Sequence, residues 1–282
     1  MNYRKTAGGS AAAIGILILA QITSQMLASG LMLLKISVSI CNILGGVLYF
    51  GLAFVGIKIL INRGFELKEL DFRIPKFSIK GKWILIALLL SIAVKGIYLL
   101  TAPGKYVSSG MSWEQMLQTL SAGIFFTGIA AGFVEELVFR GVILHLVEKT
   151  WNRKAAVLLP SVMFGLVHIM GRKFSLGSCL LVVLSGTMVG VMFSMVTIES
   201  GSIWNSGIVH AVWNIVIIGG GLSVGEVVDE HSVMTYVLDT KSFVFTGGEF
   251  GIESSVVALA GYFIVTAIAV WYTGRRKLGF GR

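Results

Sequence analysis

Long apolar stretches dominate this sequence and constrain its fold more than any other feature. Eight of them occur, at about 11–34, 37–61, 83–101, 119–147, 155–170, 175–198, 202–221 and 252–273. A helix needs roughly 20 apolar residues to cross a bilayer core, and only 13% of the residues are charged, against about 25% in soluble domains. The sequence therefore predicts an all-α polytopic membrane protein with about eight transmembrane helices, as a single domain over residues 1–282.

Basic residues in the connecting segments predict the orientation. If the N-terminus is cytoplasmic, 15 Lys and Arg residues fall in cytoplasmic segments and five in outer segments. The cytoplasmic set is Arg4, Lys5, Arg63, Lys68, Arg73, Lys76, Lys80, Lys82, Lys149, Arg153, Lys154, Arg275, Arg276, Lys277 and Arg282. The outer set is Lys35, Lys105, Arg172, Lys173 and Lys241. Because basic loops stay in the cytoplasm, we expect a multi-pass protein of the cell membrane with both termini cytoplasmic.

Several other features fit a bilayer environment. Lys58 and Lys95 lie near the ends of apolar stretches, where we expect their long side chains to reach the interface. Cys41 and Cys179 lie inside apolar stretches and are interpreted as unpaired thiols. No cleavable signal peptide is expected, because the first apolar stretch is long and lacks an obvious processing site. Nucleic-acid binding is not indicated, since the basic residues are not gathered on a soluble domain.

The fourth apolar stretch contains three charged residues, Glu135, Glu136 and Arg140. Each charge at the centre of a membrane helix costs roughly 2.5–3.5 kcal/mol. Glu136 and Arg140 are four residues apart, so they share a helix face and are predicted to pair. A structural ion pair would explain these two residues but would leave Glu135 without a partner. The motif therefore indicates a functional site more than simple helix packing.

Two later stretches contain further polar residues. His168 follows Phe164 by four residues in the fifth stretch, and His210 precedes Asn214 by four in the seventh. Each residue alone is typical of interhelical hydrogen bonding. With a rise of 1.5 Å per residue, however, these side chains and Glu135 lie about 12–21 Å from the cytoplasmic helix ends. Their shared depth predicts that they meet in one cavity.

This combination of side chains is suited to hydrolysis. A carboxylate and an imidazole can hold a water molecule and remove its proton, and a second imidazole with an amide can donate hydrogen bonds to an oxyanion. No Gly-x-Ser-x-Gly motif is present, and neither cysteine lies in the motifs. A zinc site stays open as an alternative: the His-Glu-x-x-His signature is absent, but Glu135, His168 and His210 would form an acceptable ligand set.

The ordered motifs resemble those of the CPBP (CAAX protease and bacteriocin-processing) intramembrane proteases. That family has Glu-Glu-x-x-x-Arg, then Phe-x-x-x-His, then His with Asn or Asp four residues later, each on its own membrane helix. The matching residues, within about 119–221, are Glu135, Glu136, Arg140, Phe164, His168, His210 and Asn214. The resemblance implies that Glu135 and His168 activate water. It also implies that His210 and Asn214 form the oxyanion hole, and that Glu136, Arg140 and Phe164 support the site.

The resemblance carries further expectations. It implies an endopeptidase that acts on a membrane-associated peptide or protein, without a cofactor, through a cavity that opens to the cytosol. Prokaryotic relatives are linked to bacteriocin processing and self-immunity, to peptide-pheromone processing and to surface-protein handling, so the substrate does not follow. Two rival hypotheses are a non-catalytic immunity or peptide-binding protein and, less favoured, a proton-coupled transporter, since intramembrane Glu and His residues often relay protons.

Overall fold

The chain folds into a bundle of long helices, as shown by a computed structural model that describes residues 2–65 and 68–277. The helices are α1 Tyr3–Leu33, α2 Val38–Ile59, α3 Gly81–Thr101, α4 Trp113–Thr150, α5 Arg153–Val167, α6 Leu176–Ser200, α7 Ile203–Ile217 and α8 Val256–Lys277. Each predicted apolar stretch thus coincides with a helix. Arg282, counted above among the cytoplasmic basic residues, lies outside the described residues.

The helices differ in whether they are long enough to cross a membrane. Among the described residues, six are long and apolar enough: α1, α2, α3, α4, α6 and α8. The other two, α5 and α7, have 15 residues each, which gives about 22 Å of helix against a hydrocarbon core of about 30 Å. The all-α polytopic membrane fold is confirmed, whereas eight full crossings are not.

Local sequence signals set several helix ends. The Asn152 side chain accepts a hydrogen bond from the Ala155 amide at 3.0 Å and caps α5, and Ser175 caps α6 in the same way. Ser112 and Gln115 form a reciprocal capping box at the start of α4. Gly201 ends α6 in the left-handed conformation, with φ 72°, which a glycine adopts at little cost. The chain can therefore turn directly from α6 into α7.

One end of the bundle, which we call the basic end, gathers most of the cytoplasmic basic residues. Here the Ile203 amide donates to the Arg73 carbonyl at 3.0 Å, and the Trp204 indole donates to the Pro75 carbonyl at 2.7 Å. Lys82 pairs with Glu199 at 2.8 Å. These contacts place the start of α7 and the end of α6 beside the 63–82 connection.

The opposite end, the sheet end, has a three-stranded sheet that the sequence analysis did not predict. It consists of β1 Gly104–Ser108, β2 Leu222–Gly225 and β3 Met234–Leu238, in the order β1-β3-β2. The β1–β3 pair is antiparallel and the β2–β3 pair is parallel. Short helical turns at Phe243–Thr246, Gly248–Phe250 and Ile252–Ser254 lead from the sheet into α8.

The structure corrects the expectation for Lys95. Its side chain does not reach the membrane interface but is buried between helices, where Nζ donates to the carbonyl oxygens of Val216 and Leu222. The Val216 carbonyl lies in the last turn of α7, where the last helical carbonyls lack helical partners and favour a nearby cation, and the Leu222 carbonyl lies at the start of β2. Lys95 therefore fixes that end of α7. The unpaired state expected for Cys41 and Cys179 is confirmed.

Candidate active site

The polar residues singled out in the sequence surround one cavity. Its volume is about 690 Å³, and Glu135, His168, His210 and Asn214 all line it, together with Phe164. These residues come from α4, α5 and α7 and from the residue that follows α5. The predicted convergence of separate motifs on one cavity is thus present in the fold. Glu136 and Arg140 do not line the cavity but lie behind its wall, fully buried.

Close packing of α4 against α7 brings the first and last motifs together. A Cβ atom added at Gly132 would lie 2.9 Å from the backbone nitrogen of Ala211, and one added at Gly207 would lie 2.4 Å from the Phe133 ring. Glycine lets the two backbones approach, as small residues do in membrane bundles. Glu135 and Glu136 follow Gly132 by about one helical turn, so they face the α7 segment that carries His210.

The predicted ion pair of Glu136 and Arg140 forms in the protein interior. Glu136 Oε1 accepts from Arg140 Nη1 at 2.9 Å, and both side chains have no solvent exposure. Arg140 Nη2 also donates to the Gly190 carbonyl at 3.1 Å, which ties α4 to α6. Its guanidinium carbon lies 4.6 Å from the centre of the Phe164 ring, a cation–π contact. These partners offset part of the cost of burying the pair.

His210 lies between the two adjacent carboxylates. Its Nδ1 is 3.3 Å from Glu136 Oε1, and its Nε2 is 3.9 Å from Glu135 Oε2. The imidazole also stacks on Phe193, with ring centres 4.5 Å apart and an interplanar angle of 18°. Because an ionised carboxylate only accepts, the bond to Glu136 assigns a hydrogen to Nδ1. In the neutral ring, Nε2 is then an acceptor directed towards Glu135.

His168 is positioned by its own helix. It is the C-terminal cap of α5, and its Nδ1 lies 2.7 Å from the Phe164 carbonyl oxygen. A carbonyl oxygen only accepts, so Nδ1 carries the hydrogen and Nε2 is the acceptor nitrogen of the neutral ring. Among the described residues, no direct hydrogen bond or ion pair joins His168 to Glu135, although both line the cavity.

Asn214 lies one helical turn beyond His210 on α7. Its Nδ2 donates to the Thr127 carbonyl at 3.0 Å. Thr127 belongs to the segment Ala122–Ala131 of α4, which has wider π-helical turns, a local geometry often found at functional sites. Since a carboxamide nitrogen has two hydrogens, one N–H bond of Asn214 holds α7 to α4 and the other stays free to serve the cavity.

Sequence reasoning missed Glu253, another carboxylate of the cavity wall. Its Oε2 accepts from the Trp213 indole at 3.2 Å, and its backbone carbonyl accepts from the Tyr262 hydroxyl at 3.1 Å. Glu253, Trp213 and Tyr262 all line the cavity. Glu253 lies on the short turn before α8, far along the chain from the motifs, and its position at the start of the apolar stretch 252–273 is the sequence signal that could have indicated it.

The cavity opens towards the sheet end. Its outer lining consists of Met170, Arg172, Phe174, Glu249 and Phe250, and among the described residues no lining residue comes from the basic end. A second cavity of about 840 Å³ continues from it and shares Arg172, Ile218, Glu249, Phe250 and Glu253. The sequence analysis expected the cavity to open on the cytoplasmic side, where the basic segments lie. In the fold it opens at the sheet end instead. The physical reason is that α5 and α7 both start at the basic end, so His168 and Asn214 at their far ends face away from it.

The geometry bears on the alternative metal set of Glu135, His168 and His210. In the part of the chain that the structure describes, no group of three His, Cys, Asp or Glu side chains is arranged to hold a metal ion. Glu135, His168 and His210 share the cavity but are not arranged as a three-ligand set in this conformation. Activity without a cofactor stays the prediction, with zinc as its alternative, and metal analysis is the measurement that tests it.

Comparison with protein families agrees with the motifs. Residues 118–216 match the family model described as type II CAAX prenyl endopeptidase Rce1-like. The match contains all seven motif residues and nearly coincides with the range 119–221 assigned from the sequence. No curated protein and no solved structure matched the chain.

Proposed function

We propose that this member of the Rce1-like family, matched through residues 118–216, is an intramembrane endopeptidase that hydrolyses a peptide bond of a membrane-associated peptide or protein. The observation that carries the proposal is that Glu135, His168, His210 and Asn214 line one cavity inside a bundle of membrane helices. A bilayer core offers a peptide bond neither water nor hydrogen-bond partners. A cavity lined by these polar side chains has the room and the partners to hold water beside a peptide bond.

Glu135 and His168 are the proposed water-activating residues. The Nδ1–H group of His168 is bound to the Phe164 carbonyl, so its Nε2 is the nitrogen available to take a proton. Glu135 offers carboxylate oxygens on the same cavity. The water oxygen attacks the carbonyl carbon of the peptide bond as its proton passes to one of these bases. The C–N bond then breaks, and the proton moves to the leaving amine, giving a carboxylate and an amine.

Asn214 and His210 are the proposed oxyanion donors. Asn214 can donate its second N–H in any protonation state. His210 donates through Nε2 only as an imidazolium, since the neutral ring with hydrogen on Nδ1 has an acceptor there. The carboxylates of Glu136 and Glu135, at 3.3 and 3.9 Å, are placed to stabilise that charged form. Such preorganised donors typically contribute about 10²–10³-fold to the rate.

The deciding experiment is cleavage by purified protein in proteoliposomes, followed by mass spectrometry with a set of membrane-anchored peptides. We expect Glu135→Gln and His168→Ala to abolish cleavage while the proteins stay folded. The matched controls are Glu114→Gln and His231→Ala, whose positions are exposed and outside the cavity, and they should keep full activity. Full activity of both cavity variants would refute the proposal.

A non-catalytic peptide-binding or immunity protein is the main alternative, because a cavity of about 690 Å³ would also hold a peptide segment without cleaving it. In that case wild type and Glu135→Gln should bind a peptide, or protect cells against a toxin, equally well. Neither protein should cleave it. A zinc-dependent protease is a variant of the first proposal. We expect cleavage to resist chelators; stoichiometric zinc that is lost together with activity would favour the zinc enzyme instead.

A further inference from the structure

We propose that the site receives its substrate at the sheet end of the bundle, on the extracytoplasmic side of the membrane. The substrate class is therefore an exported peptide, or the exported part of a membrane-anchored protein. This inference rests on the proposed function, because it concerns the same cavity. It differs from the expectation that the family resemblance carries, which is a cavity open to the cytosol.

The helices α5 and α7, which carry part of the site, run from the basic end towards the sheet end. The α5 helix starts at Arg153 and α7 starts at Ile203, both at the basic end. There Arg153 pairs with Glu148 at 2.8 Å, and the Ile203 amide bonds to the Arg73 carbonyl at 3.0 Å. His168 and Asn214 lie at or near the opposite ends of these helices. The functional side chains therefore occupy the half of the bundle that is closer to the sheet.

A closed layer of buried side chains separates the cavity from the basic end. Ile143, Val196 and Ile203 have no solvent exposure, and neither does the Glu136–Arg140 pair. Close-packed apolar side chains leave no passage for a peptide. A substrate that came from the basic end would have to displace this layer and the buried ion pair.

At the sheet end, by contrast, two adjoining cavities form a continuous opening. The site cavity and the second cavity of about 840 Å³ share Arg172, Glu249 and Glu253 at their junction. The second cavity extends to Val227, whose side chain is 75% exposed. The two cavities together form a path from the surface of the sheet end to Glu135 and His168.

The distribution of basic residues assigns the sheet end to one side of the membrane. Among the described residues, fourteen basic residues belong to segments of the opposite end and five to segments of the sheet end. Such a bias keeps the basic end in the cytoplasm. The opening then faces outwards, and a substrate must be exported, or inserted with its cleaved segment outside, before it reaches Glu135.

Site-directed thiol labelling tests the side of the opening. In a background with Cys41→Ala and Cys179→Ala, one variant carries Val227→Cys at the sheet end. A second carries Lys76→Cys, an exposed position at the basic end. With a membrane-impermeant maleimide on intact cells, we expect Val227→Cys to be labelled at once and Lys76→Cys only after permeabilisation. The reverse pattern would overturn the proposal, whether or not the protein cleaves anything.

A second measurement tests the path itself. Met170 is 72% exposed and lies on the rim of the site cavity. We expect a bulky impermeant maleimide, added from outside to Met170→Cys, to remove most of the cleavage shown by the same variant before labelling. Labelling at Lys76→Cys in permeabilised membranes should leave cleavage unchanged. Unchanged cleavage after complete labelling at position 170, in a preparation that is active, would overturn the path and leave the proposed function intact.

Discussion

Glu136 Oε1 lies 2.9 Å from Arg140 Nη1 and 3.3 Å from His210 Nδ1. One oxygen atom thus joins the buried ion pair to the imidazole that faces the cavity. The ion pair does more than hold helices together, because its carboxylate also sets which nitrogen of His210 carries a hydrogen. The buried ion pair and the imidazole of the cavity wall are coupled through this atom.

The first prediction concerns Glu136→Gln. The substitution keeps the side-chain volume but leaves Arg140 as a buried charge without its counter-ion, which typically costs about 3–5 kcal/mol. We expect a clear fall in thermal unfolding temperature in detergent and a loss of cleavage, since His210 also loses its anionic partner. Glu135→Gln should lose cleavage at an unchanged unfolding temperature, and the exposed Glu114→Gln should change neither. Equal unfolding temperatures for Glu136→Gln and wild type would show that the pair is not structural.

The spacing of motifs predicted part of this site because helix geometry is local. Residues four apart share a helix face, so the pair of Glu136 and Arg140 followed directly from the sequence. The meeting of three motifs followed from their common depth along helices of fixed rise. Which end of the bundle the cavity faces did not follow, since it depends on where the short helices α5 and α7 end within the bundle.

Other features depended on partners far away in the chain. Lys95 was expected at the interface, but its acceptors are carbonyls of Val216 and Leu222, and no local pattern indicates them. Glu253 reaches the cavity only because Trp213 and Tyr262 hold the turn before α8. The sheet of β1, β2 and β3 joins strands from two separate connections. Such long-range pairings are set by the packed bundle.

The second prediction tests the close approach of α4 and α7. Gly132→Ala places a methyl group 2.9 Å from the Ala211 backbone nitrogen, and backbone cannot move aside as a flexible side chain can. Overpacking of this kind typically costs about 1–3 kcal/mol. We expect lower thermal stability and reduced cleavage, because α7 carries His210. The matched control is Gly141→Ala, whose nearest neighbour is the Ile74 side chain at 3.5 Å, and it should resemble wild type.

The third prediction concerns the end of α7. Lys95→Met removes the donor to the Val216 carbonyl at that end and to the Leu222 carbonyl at the start of β2, and leaving buried acceptors unpaired typically costs about 1–3 kcal/mol. We expect a lower unfolding temperature, and a fall in kcat larger than any rise in KM, because Asn214 is displaced more than the outer cavity wall. Lys105→Met, at an exposed site, is the control. A Lys95→Met protein with wild-type stability and kcat would show that the carbonyls need no cation.

The last prediction is a pH dependence at the rim of the cavity. Glu249 Oε2 accepts from the Ser175 amide at 2.7 Å, and this bond together with those from the Ser178 and Ser175 side chains lowers the pKa of Glu249 below its ordinary value. A lowered pKa means that the link is fully present above the ordinary glutamate range and is lost as the pH falls through the lowered value. We therefore expect hydrogen exchange at the Ser175 amide, corrected for intrinsic rates, to become faster only at acidic pH. Glu249→Gln should remove that pH dependence, whereas Glu230→Gln, in the exposed part of the same connection, should keep it. If the acidic transition persists in Glu249→Gln, another group is responsible for it.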